Sequence, residues 1–168
     1  MSRSFKTVVF SHGKESGPWG AKITAMAAAV QEIGHRVESV DYRGMDDPAV
    51  RVQRLIDVGL LLKAPLVLVG SSMGGHVSAA AASPLGARGL FLLAPAFYMP
   101  GFEDKTPHDV AVPTAIVHGW HDEVVPVDNS IRWARSTCAA LHILNSNHRL
   151  DDQIEVICNL LRAFLAAL

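Results

Sequence analysis

Short, uninterrupted apolar runs recur along the chain, and between them apolar positions return every three or four residues. Thr7-Val8-Val9-Phe10 predicts a first strand. Over 19–34, Ile23, Met26, Val30 and Ile33 share one helical face, and Gly34 supplies a stop. A strand is predicted over 37–42. A helix follows over 48–63, with Pro48 in its first turn and Arg51, Arg54 and Asp57 on its expected wet face. Leu66-Val67-Leu68-Val69 is continuously apolar, which predicts a strand covered on both sides. An alanine-rich helix then runs to about residue 83. Further strands are predicted over 90–93, 114–117 and 141–144, with a helix over 126–136. The final helix is expected to be capped by Asp151 and to bury Ile154, Ile157, Leu161, Phe164 and Leu168.

Strands and helices thus alternate throughout. That order predicts an α/β fold, a three-layer α/β/α sandwich of about six mostly parallel strands joined by right-handed crossovers. The whole of 1–168 is expected to form one domain, with no repeat or linker. One long irregular stretch, 94–113, separates the fourth and fifth strands. In open α/β sheets ligands lie beyond the carboxyl ends of the strands, so the residues just after each strand are the chemical candidates.

Composition narrows the class. The 168 residues are 49% hydrophobic and 18% charged, with a net charge of −1. This excludes a disordered chain and the basic footprint of a nucleic-acid binder. Cys138 and Cys158 are too few for a disulfide framework. The N-terminal stretch 1–6 lacks a leader-like apolar core, and the longest apolar run, 89–102, is broken by Pro95 and Pro100. A cytoplasmic protein with no membrane partner is expected.

The strongest chemical signal is Gly70-Ser71-Ser72-Met73-Gly74, a G-x-S-x-G pattern that follows a buried strand and opens a small-residue helix. A sharp turn there strains the middle serine and needs room two residues to either side, which Gly70 and Gly74 leave. Ser72 would sit at a helix N-terminus, where developing negative charge is favoured. A phosphate-binding loop is the competing reading, weakened because no P-loop lysine follows.

Serine needs a base. Among eight histidines, His148 lies in the polar loop Asn145-Ser146-Asn147-His148 just after the last strand. His12 and His118 also follow strands, but each precedes a glycine and reads as part of a turn, and His76 is expected to point along its helix. An acid must then fix the tautomer of the base. Asp122 follows the fifth strand, with Glu123 and Asp128 as competitors, and Asp128 is also a candidate helix cap. An oxyanion needs two backbone N–H donors: Met73 follows the nucleophile, and Lys14 is the choice within the loop 11–17. His118, His121 and Asp122 are close enough in sequence to suggest metal ligands, yet no fourth partner stands at a recognised spacing, and no metal or cofactor is expected.

The elbow at Ser72, the Gly-x-x-Asp-x-x-Val-Pro stretch holding Asp122 and the loop holding His148 together resemble the α/β-hydrolase superfamily, closest to its small, lidless bacterial serine hydrolases. The resemblance covers essentially the whole chain. It implies a minimal fold without a cap domain, and ester or thioester hydrolysis through an acyl-serine intermediate without a cofactor. It makes Ser72 the nucleophile, Asp122 the acid and His148 the base.

The expected substrate is a small-molecule ester. The alternatives are a thioesterase acting on a small acyl carrier and a non-catalytic binding module on the same fold. Trp19, Phe97, Tyr98, Phe102 and Trp120 fall in candidate mouth loops and are the candidate pocket residues, with Phe97, Tyr98 and Phe102 available as a small flap. Without a lid the groove is expected to be shallow and to favour acyl chains of about two to six carbons, each buried methylene contributing about 0.8 kcal/mol.

Overall fold

The structure is a computed structural model and describes residues 5–168, so most of the N-terminal stretch 1–6 lies outside it. Six strands form one parallel sheet: β1 (Thr7–Ser11), β2 (Arg36–Val40), β3 (Leu66–Ser71), β4 (Gly89–Leu93), β5 (Thr114–Gly119) and β6 (Ala140–Leu144), in the order β2-β1-β3-β4-β5-β6. Five helices connect and follow them: α1 (Ala21–Glu32), α2 (Pro48–Leu61), α3 (Met73–Ala82), α4 (Val127–Thr137) and α5 (Ile154–Ala167). The element order is the one the apolar pattern predicts.

Because alternate side chains of a strand face opposite sides of the sheet, each central strand feeds two cores. On one side Val8, Phe10, Val67, Val69, Phe91 and Leu93 pack against Ile23, Met26 and Val30 of α1 and Ile157, Leu161 and Leu165 of α5. On the other, Val9, Leu68, Leu90, Leu92 and Ile116 pack against Leu55 of α2, Val77 of α3 and Trp133 of α4. Both faces are covered, which is why these strands read as continuous apolar runs. β6 lies at the sheet edge and is only partly buried, from Leu141 to Leu144.

Four boundaries or placements differ from expectation. Tyr42 has left β2: its hydroxyl bonds Ser11 Oγ at 2.9 Å and its backbone N–H donates to His12 Nε2 at 2.9 Å. Asp151 does not cap α5, because Asp151–Gln153 form a 3₁₀ turn and Gln153 takes the cap position. Asp128 lies inside the first turn of α4, where Pro126 takes the cap position. Arg51, expected on the wet face of α2, is buried at 1% exposure. Its Nε donates to Met45 O at 2.6 Å, and its Nη1 lies 3.2 Å from His12 O and 3.3 Å from Gly13 O. A guanidinium tolerates this burial because carbonyl oxygens meet its donors.

The chain turns from one side of the sheet to the other between β1 and β3. β1 sends its crossover outward to β2, whereas β3 begins the run toward β6. A crevice opens at such a switch point, and the loops after β1 and β3 flank it.

Candidate active site

Ser72 stands at that crevice, between β3 and α3, with φ 54° and ψ −119°. This strained conformation is what the sharp turn requires of its middle residue. The elbow is pinned by Ser72 N–H donating to Leu93 O at 2.9 Å, and by Ser72 O accepting from Ala96 N at 2.9 Å. The two flanking glycines have distinct steric reasons. A Cβ on Gly70 would stand 2.2 Å from Gly74 O, and a Cβ on Gly74 would stand 2.0 Å from Ser11 O of β1. Neither contact leaves space for a side chain.

His148 reaches Ser72 from the loop after β6. Its Nε2 accepts from the Ser72 hydroxyl across 3.1 Å, and its Nδ1–H donates to Asp122 Oδ2 at 2.7 Å. The His148 side chain is 20% exposed and that of Asp122 is 0% exposed. Asp122 Oδ1 accepts the backbone N–H groups of Val124 at 2.9 Å and Val125 at 2.8 Å. These two backbone donors satisfy Oδ1 and fix the orientation of the buried carboxylate. Of the three acids in this stretch, Asp122 alone is joined to His148; Glu123 and Asp128 are exposed.

The loops after β5 and β6 must run close together for this contact. A Cβ on Gly119 would stand 2.3 Å from Ser146 O, so the glycine permits the approach. His121 N–H donates to Ser146 O at 3.0 Å, Ser146 Oγ bonds Asp152, and Lys22 Nζ donates to Arg149 O at 2.6 Å. The His148 loop is therefore tied to three neighbouring elements.

Met73 opens α3, so its backbone N–H has no intrahelical acceptor. Across the crevice the loop 12–17 is held from below. His12 is buried with Nδ1–H donating to Gly13 O at 2.7 Å while Nε2 accepts from Tyr42 N–H, which defines a neutral tautomer. Burial pushes its pKa down. Gly13 packs directly behind the nucleophile, its would-be Cβ 3.4 Å from Ser72 Cβ, and Lys14 follows at the exposed rim.

A cleft of about 820 Å³ opens over Ser72 and His148. Ile23, Met73, Met99, Phe102 and Val124 supply apolar wall, while Lys14, Lys22 and Arg149 stand with Glu15, Asp46 and Asp151 among its polar lining. The cleft is larger than the shallow groove expected without a lid, because 94–113 contributes Ala96, Met99, Pro100 and Phe102 to it.

Of the five aromatic candidates, Phe102 alone lines this cleft. Phe97 is fully buried on the opposite side of its segment, its ring stacked on Trp133 at 4.8 Å. Tyr98 turns the same way, with the Arg132 guanidinium 4.0 Å over its ring and its N–H donating to Thr106 Oγ1 at 2.8 Å. Trp19 and Trp120 are more than half exposed and stand away from the cleft. His76, expected to point along its helix, instead lines the cleft one turn beyond Ser72, and burial lowers its pKa.

The His118, His121 and Asp122 cluster is otherwise engaged. His121 Nε2 lies 2.9 Å from Asn145 Oδ1, and His118 Nδ1 lies 2.7 Å from Ser130 Oγ. Among the described residues no group of three His, Cys, Asp or Glu side chains has metal-binding geometry, and no helix is long and apolar enough to cross a membrane.

With this geometry in place, comparison with known proteins gives a consistent picture. The model of the alpha/beta hydrolase family matches residues 8–159. A protein of Xanthomonas campestris pv. campestris, assigned to the alpha/beta hydrolase superfamily, is 32% identical with a TM-score of 0.89, each chain covered over 100% of its length. A lidless α/β serine hydrolase of the same species is 20% identical with a TM-score of 0.83, covering 99% of this chain and 83% of that one. Est1E of Butyrivibrio proteoclasticus with ferulic acid bound is 16% identical with a TM-score of 0.83, covering 98% and 90%. No curated protein matches the chain.

Proposed function

The chain belongs to the alpha/beta hydrolase family, and on that premise we propose that it is a serine hydrolase cleaving small carboxylic esters through an acyl-serine intermediate. The observation that carries this reading is the continuous hydrogen-bonded line from Ser72 Oγ through His148 to the buried Asp122.

In the first half-reaction His148 Nε2 takes the Ser72 proton as Oγ bonds the ester carbonyl carbon. The carbonyl oxygen gains negative charge and accepts hydrogen bonds from the backbone N–H groups of Met73 and Lys14. Asp122 stabilises the imidazolium that forms. The tetrahedral intermediate expels the alkoxide, which takes the proton from His148 Nε2 and leaves as the alcohol. In the second half, His148 takes a proton from water, and the hydroxide attacks the acyl-serine carbonyl. Collapse then releases the acid as Ser72 regains its proton. No redox or metal step is needed.

A fluorophosphonate probe tests the reading directly. Native wild-type protein should be labelled, whereas heat-denatured protein and Ser72→Ala should not. A panel of esters, thioesters and amides of one acyl group then ranks the leaving groups. Fast thioester turnover with slow ester turnover would replace the esterase with a thioesterase. Failure of native protein to label at all would leave a binding module on the same fold.

A further inference from the structure

His118 lies at the end of β5, four residues before Asp122, with a fully buried side chain. The hydrolytic steps above make no use of it. Its Nε2 stands 2.9 Å from Val125 O and also 2.9 Å from Asp122 Oδ2. Both neighbours are acceptors, so Nε2 must carry the proton; a bare lone pair would be repelled by each. The hydroxyl of Ser130 then donates to Nδ1 at 2.7 Å and fixes that tautomer. Burial holds the pKa of the imidazole down, so the ring is neutral, with Nε2–H bonded to Val125 O and the polar edge of the ring set against Oδ2.

The same carboxylate oxygen, Asp122 Oδ2, accepts Nδ1–H of His148 at 2.7 Å. Oδ1 is occupied by Val124 and Val125 N–H. Val125 therefore bonds both partners: its N–H goes to Asp122, and its C=O accepts from His118. This closed ring fixes the rotation of the carboxylate about its own axis and leaves Oδ2 aimed at His148.

We propose that His118 is a positioning residue that holds Asp122 Oδ2 in line with His148. The proposal rests on the hydrolase reading above. The competing role, that His118 merely closes the turn through Val125 O, predicts the same loss whatever residue stands at 122.

The two roles separate in a double-mutant cycle. His118→Leu, His118→Gln and Ser130→Ala are each made in the wild-type and the Asp122→Asn background. Folding is checked by circular dichroism, and activity is read as kcat, KM and the rate of fluorophosphonate labelling. In the wild-type background His118→Leu should lower kcat about tenfold or more, with KM changed less than about twofold. His118→Gln, whose amide nitrogen can replace Nε2–H, should recover most of that loss. Ser130→Ala, a small change that releases the tautomer, should cost a few-fold in kcat. In the Asp122→Asn background all three should cost less than about twofold further.

A loss that persists undiminished in the Asp122→Asn background would overturn the proposal, as would a folded His118→Leu protein with wild-type kcat. If His118→Leu does not fold, Ser130→Ala and His118→Gln complete the same cycle and decide it. Wild-type protein that takes no label and cleaves no ester would instead overturn the hydrolase reading, which is a different measurement.

Discussion

The guanidinium of Arg51 donates to the carbonyl oxygen of His12 across 3.2 Å, joining α2 to the loop that faces Ser72. A second contact, 3.3 Å to Gly13 O, aligns two successive carbonyls toward α2. When a peptide's C=O points one way its N–H points the other. Fixing Gly13 O toward Arg51 thus turns the N–H of Lys14 away from α2, as the proposed oxyanion role needs. Arg51→Met should therefore strip a donor from the carbonyls of His12, Gly13 and Met45; Gly13 O keeps His12 Nδ1–H, whereas the buried His12 O is left unsatisfied at a cost of about 1–3 kcal/mol. The expected outcome is a lowered Tm together with a kcat loss exceeding any change in KM. Arg51→Lys should not rescue it, because one ammonium cannot reproduce the planar fork. A Lys variant with wild-type Tm and kcat would remove Arg51 from this role.

Ser71 and Ser72 are neighbours with opposite expected effects. Ser71 is the last residue of β3 and takes part in pairing with β4, whereas Ser72 carries the strained turn and contacts His148. Ser72→Ala should remove activity by a factor on the order of 10⁶, and Ser71→Ala should leave the chemistry running. Asp122→Asn should cost about 10⁴-fold in a folded protein by favouring the wrong His148 tautomer. Glu123→Gln, at an exposed position, should be mild. Steady-state assays on the four purified variants check the set, and a dead Ser71→Ala beside an active Ser72→Ala would displace the elbow.

Two buried histidines give the protein an acid weakness. His12 and His118 have fully buried side chains and pKa values pushed below 6.5 by burial. The unfolded chain therefore binds protons at these sites in a pH range where the native protein does not. By linkage, stability is then lost as pH falls below about 6.5, with a slope of up to about 1.4 kcal/mol per pH unit for each proton. Urea midpoints should drop between pH 7.5 and pH 5.5. Replacing His12 with Gln should flatten that slope even if it lowers stability throughout. A midpoint independent of pH over this window would mean that the two imidazoles take up protons in the native state as readily as in the unfolded chain.

Much of this fold and site is legible in the sequence for a definite physical reason. A parallel sheet covered on both faces forces runs such as Leu66-Val67-Leu68-Val69, and the elbow tolerates nothing larger than hydrogen at Gly70 and Gly74. Ser72, Asp122 and His148 all follow strands at the same end of the sheet, so topology brings them together. Arg51 was not legible, since a charged residue in helical register with Arg54 and Asp57 reads as solvent-facing until its carbonyl partners are seen. His118 was obscured likewise: its glycine neighbour suggests a turn, and only the folded loop brings Ser130 and Val125 to its two nitrogens. The facing of Phe97 and Tyr98 depends on left-handed backbone at Ala94 (φ 40°) and Tyr98 (φ 51°), which composition does not announce.

That turn in the backbone also changes the expected substrate range. It drives Phe97 onto Trp133 and sends Met99, Pro100 and Phe102 to the cleft instead. The segment is anchored there by Asn129 Nδ2 donating to Phe97 O at 2.8 Å and Trp133 Nε1 donating to Pro107 O at 2.6 Å. It is thus a fixed wall and not a flap, so dissolved substrate should suffice without a rate jump at an oil–water interface. The wall continues past the first carbons of an acyl chain, and each methylene it buries should add about 0.8 kcal/mol. For p-nitrophenyl esters kcat/KM should therefore still be rising at hexanoate, the upper end of the range of about two to six carbons expected of a shallow groove. Phe102→Ala should flatten that rise while leaving acetate turnover nearly unchanged, because acetate does not reach the ring. Activity that declines steadily from acetate onward, or a chain-length series identical in Phe102→Ala, would show that the acyl group leaves Ser72 in another direction.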